Sequence, residues 1–322
     1  MQVVRVARVE EFARAGASPI LGMGTLDGVH LGHQEILRRV RDRAAAVGGT
    51  AGVITFAEHP LSMVRPADAP GLITLLPLKL AILERLGMER AVVIRFSPGL
   101  ARLDAADFVT RVLVERLGIA GLCVGYDFSF GRGRQGGVEL LRAMAARHGF
   151  WLEVVSPVSV NGQVVSSRAI RALLAEGRVE AAQQCLGRPY CLAGTVAAGA
   201  GRGRGLGFAT ANLTLPEPRL LRDGVYAGRL LVRRTFRDAM MNVGRAPTFG
   251  EGAVRLEVHL PGWEEPLYGE RVLACFLARL RDEARFPDAA ALAAQLGRDR
   301  AAAESVWAAA RGLPWPEWAL QP

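Results

Sequence analysis

The chain has 322 residues, 50% of them hydrophobic and 22% charged, with a formal net charge of +9. That composition excludes a disordered or fibrous protein, and the length allows one large or two medium domains, each with its own core. The positive charge admits a nucleic-acid partner, but the arginines are scattered among acids with no basic run, and polyanionic small substrates suit the charge equally well.

Residues 1–14 lack the apolar core of a signal peptide, and no uninterrupted apolar run reaches membrane-spanning length, so a cytoplasmic protein is expected. The first half then alternates short apolar strands with helical patterns. Strands are predicted at Ile20–Gly24, Gly52–Thr55, Ala91–Ile94, Leu122–Gly125 and Trp151–Val155, with helices near 33–47, 78–86, 104–117 and 137–148. Such alternation predicts a parallel sheet covered on both faces, with ligands at the carboxyl ends of its strands.

The stretch Gly22-Met23-Gly24-Thr25-Leu26-Asp27-Gly28-Val29-His30-Leu31-Gly32-His33-Gln34 joins the first of these strands to the first helix. A glycine-rich turn running into a helix N-terminus gathers free N–H groups and a positive dipole end around a phosphate. His30 and His33, three residues apart, can face one bound group and stabilise charge developing on a triphosphate. The alternative is that they serve only as helix caps or metal ligands. No Lys-Ser/Thr follows, so the turn is not a Walker phosphate loop. Lys79, in the second helix, is the single lysine of the chain, and Asn161, Asn212 and Asn242 are its only asparagines. An uncommon residue kept in a biased composition marks a position where its chemistry can be required, although chance survival explains any one of them as well.

Other strand ends carry polar and aromatic residues. Thr55-Phe56-Ala57-Glu58-His59-Pro60 ends the second strand, and Asp127-Phe128-Ser129-Phe130-Gly131 follows the fourth. After the fifth come Ser166, Ser167, Arg168 and Arg171, at the start of a helix where serines also serve as caps. The pattern closes at Gly187-Arg188-Pro189, a linker signal.

Beyond it, strands follow one another at Cys191–Ala197, Phe208–Leu213, Val225–Val232, Asp238–Val243, Arg255–Leu260 and Arg271–Arg279, which predicts a small antiparallel barrel closed by an alanine-rich helix over residues 289–310. Residues 199–207 hold five glycines and two arginines, Arg202 and Arg204, a composition suited to phosphates or to RNA. Thr210 and Asn212 alternate onto one strand face and offer hard oxygen ligands for Mg²⁺. Glu257 is a carboxylate in an otherwise apolar strand, either a rim salt bridge or a general base. Cys123, Cys185, Cys191 and Cys275 form no C-x-x-C pair and are expected as free thiols.

In order along the chain, these segments resemble the bacterial bifunctional riboflavin kinase/FMN adenylyltransferase (FAD synthetase) family. Gly24 to Gln34 is similar to G-x-F-D-G-V-H-x-G-H-Q, Thr55 to Pro60 to T-F-x-P-H-P, and Asp127 to Gly131 to D-F-x-F-G. Ser166 to Arg171 resembles S-S-x-x-I-R, and Leu186 to Tyr190 matches L-G-R-P-Y. Gly203 to Leu213 resembles G-R-x-L-G-F-P-T-A-N-L, Asn242 to Phe249 resembles N-x-G-x-x-P-T-F, and Glu257 to Leu260 matches E-V-H-L.

The resemblance implies a Rossmann-like nucleotidyltransferase domain over residues 1–186 and a six-stranded riboflavin-kinase β-barrel with a C-terminal helix over 187–322. In the second, ATP would phosphorylate riboflavin to FMN, with Glu257 as base and Thr210 and Asn212 holding Mg²⁺. Gly201, Gly203, Arg204 and Gly207 would embrace the phosphates, with Asn242 on the flavin side. In the first, FMN would attack the α-phosphate of a second ATP, giving FAD and pyrophosphate. His30, His33 and Arg171 would be catalytic there, and Gly24, Thr25, Asp27, Gly32, Ser166, Ser167 and Arg168 would bind ATP. His59, Asp127, Phe128 and Phe130 would line the flavin side. Leu26, Glu58, Ala209 and the Arg168-Ala169 pair depart from the family pattern. Glu58 and Leu26 leave a second reading open, a kinase carrying a decayed flavin-binding module, and the basic glycine loop leaves a third, an RNA-binding protein.

Overall fold

The computed structural model of the protein describes residues 1–197, 210–214, 220–245, 254–263 and 265–312. It divides into two compact units, Met1–Ser167 and Arg168–Pro322.

The first unit is built on six parallel strands: β1 (Gln2–Val6), β2 (Ile20–Met23), β3 (Ala51–Phe56), β4 (Arg90–Ile94), β5 (Gly121–Gly125) and β6 (Trp151–Val155). Their order is β1-β4-β3-β2-β5-β6. The predicted strands form within a residue or two of their expected limits. β1 is an addition: a five-residue edge strand with a mixed pattern, Gln-Val-Val-Arg-Val, given its place by parallel pairing to β4. β2, β3 and β5 are apolar and buried on both faces, as a covered parallel sheet demands.

Helices cover them: α1 (Leu31–Val47), the short α2 (Leu61–Val64), α3 (Leu76–Arg85), the single-turn α4 (Pro98–Ala101), α5 (Ala105–Asp107) widening into π-type bonding over Phe108–Arg116, and α6 (Val138–His148). α1 buries Ile36, Leu37, Val40 and Ala44, an i, i+1, i+4, i+8 stripe, and ends on Gly48 in the left-handed conformation. Chain direction along the sheet reverses between β2 and β5: β3 and β4 are laid to one side of β2, β5 and β6 to the other. The crevice at that switch point is where such sheets bind ligands. A small hairpin, β7 (Ser159–Val160) with β8 (Gln163–Val164), follows β6.

The second unit opens with α7 (Ser167–Ala175), whose first residue closes the first unit, and α8 (Val179–Leu186). These lead into β9 (Tyr190–Ala197), β10 (Thr210–Thr214), β11 (Gly224–Val232), β12 (Thr235–Arg245), β13 (Val254–His259) and β14 (Arg271–Arg281). The six strands close into an antiparallel barrel in the order β10-β13-β12-β11-β14-β9, as the run of strands without helices predicts. Tyr226 and Phe276, both fully buried, meet edge to face at 5.4 Å. Cys123, Cys191 and Cys275 are buried and all four thiols are free; burial pushes Cys123 up to about 12, so it is inert as a nucleophile.

The closing helix α9 (Ala289–Ala309) packs on β11 and β14. Trp307 donates from Nε1 to the Gly228 carbonyl at 2.9 Å, next to a register shift between β11 and β14. Asp299, with 4% of its side chain exposed, accepts from Arg281 Nε at 2.9 Å, Arg281 Nη2 at 2.7 Å and Gln295 Nε2 at 2.8 Å. Removing one partner of such a buried pair leaves the other charge uncompensated. Asp299→Ala is expected to lower the stability of the second unit by about 3 kcal/mol, read by urea unfolding.

Candidate functional sites

The turn after β2 has an unusual backbone. Leu26, Gly28 and Val29 have φ of 51°, 83° and 40°. Gly28 bears this freely, but Leu26 and the β-branched Val29 cost about 1–3 kcal/mol each, and such strain persists only where the surroundings over-determine it. Here they do. Gly24 N–H bonds the Ile54 carbonyl at 3.1 Å and Val29 N–H bonds Leu26 O at 3.1 Å. The buried Asp27 carboxylate accepts from the amides of Ile73 and Thr74 at 3.0 and 3.1 Å. Ser167 Oγ donates to Asp27 O at 2.9 Å, and Gln34 Nε2 to Val29 O at 2.9 Å. Leu26, 1% exposed, fills the core where the family motif carries Phe.

This turn delivers His30 to the N-cap of α1 and His33 to its first turn. Their rings stack, with centroids 3.6 Å apart and planes 21° from parallel. Gly32 makes this possible: a Cβ there would lie 3.2 Å from His30 Cε1. Among the described residues no three His, Cys, Asp or Glu side chains gather as a group that could hold a metal ion.

The neighbouring strand ends frame the same edge. Past β3, His59 Nδ1 accepts from Leu61 N–H at 3.2 Å and Ser62 Oγ donates to His59 O at 2.7 Å, forming a tight turn. Past β5, Asp127 is exposed, while Phe128 and Phe130 stack at 5.5 Å. Phe130 is 8% exposed and packs against Phe108 at 5.9 Å, which puts its ring in the core and leaves Phe128 as the less buried of the two. Ser166 precedes α7 and Ser167 opens it; Arg168 and Arg171 fall in its first turns.

One functional candidate had no assigned role in the sequence. Lys79, 3% exposed on α3, donates from Nζ to Thr25 O at 3.1 Å, Thr55 Oγ1 at 3.2 Å and Phe56 O at 2.8 Å. Burial pulls its pKa down to about 8, against the opposing field of Asp27. Its singularity in the chain is the signal; its partners are visible only in three dimensions.

In the barrel, strand register assembles a second set. Asn212 of β10 lies opposite Glu257 of β13, and Glu257 lies opposite Asn242 of β12. Directly paired residues share a face, so the carboxylate stands between two carboxamides. Leu213, Leu256 and Val243, one position along, form the buried row of the other face. Asn212 Oδ1 and Asn242 Oδ1 are buried acceptors with no hydrogen-bond partner among the described residues. Asn242 Nδ2 donates to Glu283 Oε1 at 3.2 Å, and Gly244 leaves the space that carboxylate fills, since a Cβ there would lie 2.0 Å from it. Glu283 carries no sequence signal, because the contact spans 41 positions. Thr210 lies two positions before Asn212, opposite His259. Gly201, Gly203, Arg204 and Gly207 lie outside the described residues.

Both halves of the chain have counterparts in known proteins. Residues 14–169 match the FAD synthetase family model and residues 186–307 the riboflavin kinase model. The bifunctional riboflavin kinase/FMN adenylyltransferase of Pseudomonas fluorescens is 37% identical over 285 residues, covering 88% of this chain and 91% of the relative. Those of Haemophilus influenzae and Escherichia coli are 33% and 32% identical, each over 87% of this chain, and cover 91% and 90% of the relatives. A solved structure described as a macrolide-efflux protein from Streptococcus pneumoniae superposes with a TM-score of 0.84 at 27% identity, covering 94% of this chain and 99% of that one. No described helix of this chain is long and apolar enough to cross a membrane. With both catalytic modules present in family order and relatives matched nearly end to end, the chain belongs to the bifunctional riboflavin kinase/FMN adenylyltransferase family, which makes FMN from riboflavin and FAD from FMN.

Proposed function

We propose that the two reactions run at the two residue sets described above, adenylyl transfer at the β2–α1 turn and riboflavin phosphorylation at the Asn212–Glu257–Asn242 row. The observation that carries this assignment is their chemical contrast: a stacked imidazole pair at a helix N-terminus in one unit, a carboxylate between carboxamides in the other.

At the first site, FMN phosphate oxygen attacks the α-phosphorus of ATP and pyrophosphate leaves. His30 and His33 stabilise the charge that develops on the α-phosphate and leaving group, held by a backbone that need not reorganise. Gly24 and Thr25 present the turn to the nucleotide. Asp27, its carboxylate already taken by amides, and Gly32, which makes room for His30, act by holding that geometry. Ser166, Ser167, Arg168 and Arg171 bind the outer phosphates, with Arg171 the catalytic cation. Asp127, Phe128 and His59 face the flavin, and Phe130 backs Phe128 from the core.

At the second site, Glu257 takes the proton of the ribityl 5′-hydroxyl as the hydroxyl oxygen attacks the γ-phosphorus of ATP, the bond to the β,γ-bridging oxygen breaks and ADP leaves. Asn242 orients the flavin substrate beside it. Asn212 Oδ1, a buried acceptor lacking a partner among the described residues, fits Mg²⁺, with Thr210 beside it in the strand. The cation, when bound, supplies charge neutralisation on the ATP phosphates. Gly201, Gly203, Arg204 and Gly207, outside the described residues, bind those phosphates. We place the functional boundary at 186/187, supported by the start of the riboflavin kinase match at residue 186. A cytoplasmic location is supported by the four free thiols.

His33→Ala is expected to lower FAD formation from FMN by about 100- to 1,000-fold while FMN formation from riboflavin stays at the wild-type rate. Glu257→Ala is expected to do the reverse, losing about 100-fold or more in FMN formation while adenylylating supplied FMN normally. Chromatographic separation of the flavins checks both, and loss of both reactions in either folded variant contradicts the two-site assignment. Asn212→Ala is expected to raise the Mg²⁺ concentration for half-maximal FMN formation by about tenfold, measured by Mg²⁺ titration, with no change in the Mg²⁺ dependence of FAD formation from FMN.

A further inference from the structure

Lys79 is the single lysine of the chain and one of its most buried charges. Its ammonium has three N–H donors, and three oxygens receive them: Thr25 O at 3.1 Å, Thr55 Oγ1 at 3.2 Å and Phe56 O at 2.8 Å. Thr55 Oγ1 in turn donates to Thr25 O at 2.9 Å, which closes the network. The two carbonyls belong to different strand ends. Thr25 is in the strained turn that carries the histidine pair; Phe56 ends β3 and leads into His59. From α3, a third element, Lys79 ties the carboxyl ends of two adjacent parallel strands together.

We propose that Lys79 is a positioning residue for adenylyl transfer, setting the Gly24–Val29 turn, and through it His30 and His33, against the His59 loop. This rests on assigning adenylyl transfer to that turn. Lys79 lies beneath the turn and spends all three donors on the protein itself, so it does not supply the charge that a Walker lysine gives to phosphate. It fixes the backbone that presents the imidazoles instead. A reacting group displaced by about 1 Å can lose about 100-fold in rate without losing its ligand, so the effect falls on kcat.

Protonation is the property that separates this role from simple packing. The neutral amine has two N–H groups for three acceptors, so one of the three bonds that tie the strand ends to α3 is lost. Asp27 is the charged group whose field favours the ammonium, and burial opposes it, with the balance near pH 8.

The test uses the full-length enzyme and both of its reactions. Lys79→Met is expected to lower kcat for FAD formation from FMN by roughly 10- to 100-fold, with KM for ATP and FMN within about threefold and FMN formation from riboflavin unchanged. In the wild type, kcat for FAD formation is expected to decline above pH 8, a limb that FMN formation does not share and Lys79→Met lacks. A folded Lys79→Met with wild-type kcat overturns the proposal. If that variant does not fold, the wild-type profile decides: decline near pH 8 in FAD formation alone supports the role, and a flat profile to pH 9.5 overturns it. His33→Ala separates the two levels. If His33→Ala loses FAD formation and Lys79→Met keeps the wild-type kcat, only the Lys79 role fails; if His33→Ala keeps the wild-type rate, the site assignment fails with it.

Discussion

The first unit depends on a backbone constraint: the strained Gly24–Val29 turn must be held in shape from outside. Residues Leu26 and Val29 sit at φ of 51° and 40°, which an isolated peptide would avoid. Bonds from four directions make that conformation the stable one. Amides at Ile73 and Thr74 take the Asp27 carboxylate, Ser167 takes the Asp27 carbonyl, Gln34 takes the Val29 carbonyl, and Lys79 takes the Thr25 carbonyl. The consequence is preorganisation: the two imidazoles are stacked and aimed before any substrate arrives.

The barrel meets the parallel requirement by register alone. Antiparallel pairing sets Asn212, Glu257 and Asn242 in one row across three strands, with an apolar row behind them as their support. No strained backbone is needed, because a rigid ladder fixes direction and spacing. Phosphoryl transfer asks mainly for positioning and charge neutralisation, and a strand ladder supplies positioning at low cost. The two halves of the chain fix their polar side chains by different means, a pinned turn at a switch point in one case and cross-strand register in the other.

Much of this was legible in the sequence. Strand–helix alternation followed by strands alone specified the two architectures, and most expected strands formed within two residues of their limits. The histidine spacing suggested two side chains facing one bound group; the structure shows their rings stacked on each other. What escaped was whatever depends on distant partners. Lys79 stood out by rarity, yet its acceptors lie 54, 24 and 23 positions away. The resemblance implied Asp27 as an ATP contact; its carboxylate is buried against the amides of Ile73 and Thr74, 46 and 47 positions on. The resemblance implied Phe130 for the flavin side; its burial and its packing against Phe108 put the ring in the core. β1 was too short and too mixed in pattern to show itself without β4.

The central claim is that one chain carries two separate reactions in sequence, the product of the barrel serving as substrate for the transferase unit. Incubating the protein with riboflavin, ATP and Mg²⁺ and resolving the flavins over time tests it most directly. The account predicts that FMN rises first and then falls as FAD accumulates. FMN that accumulates without FAD contradicts the transferase half, and unchanged riboflavin contradicts the whole.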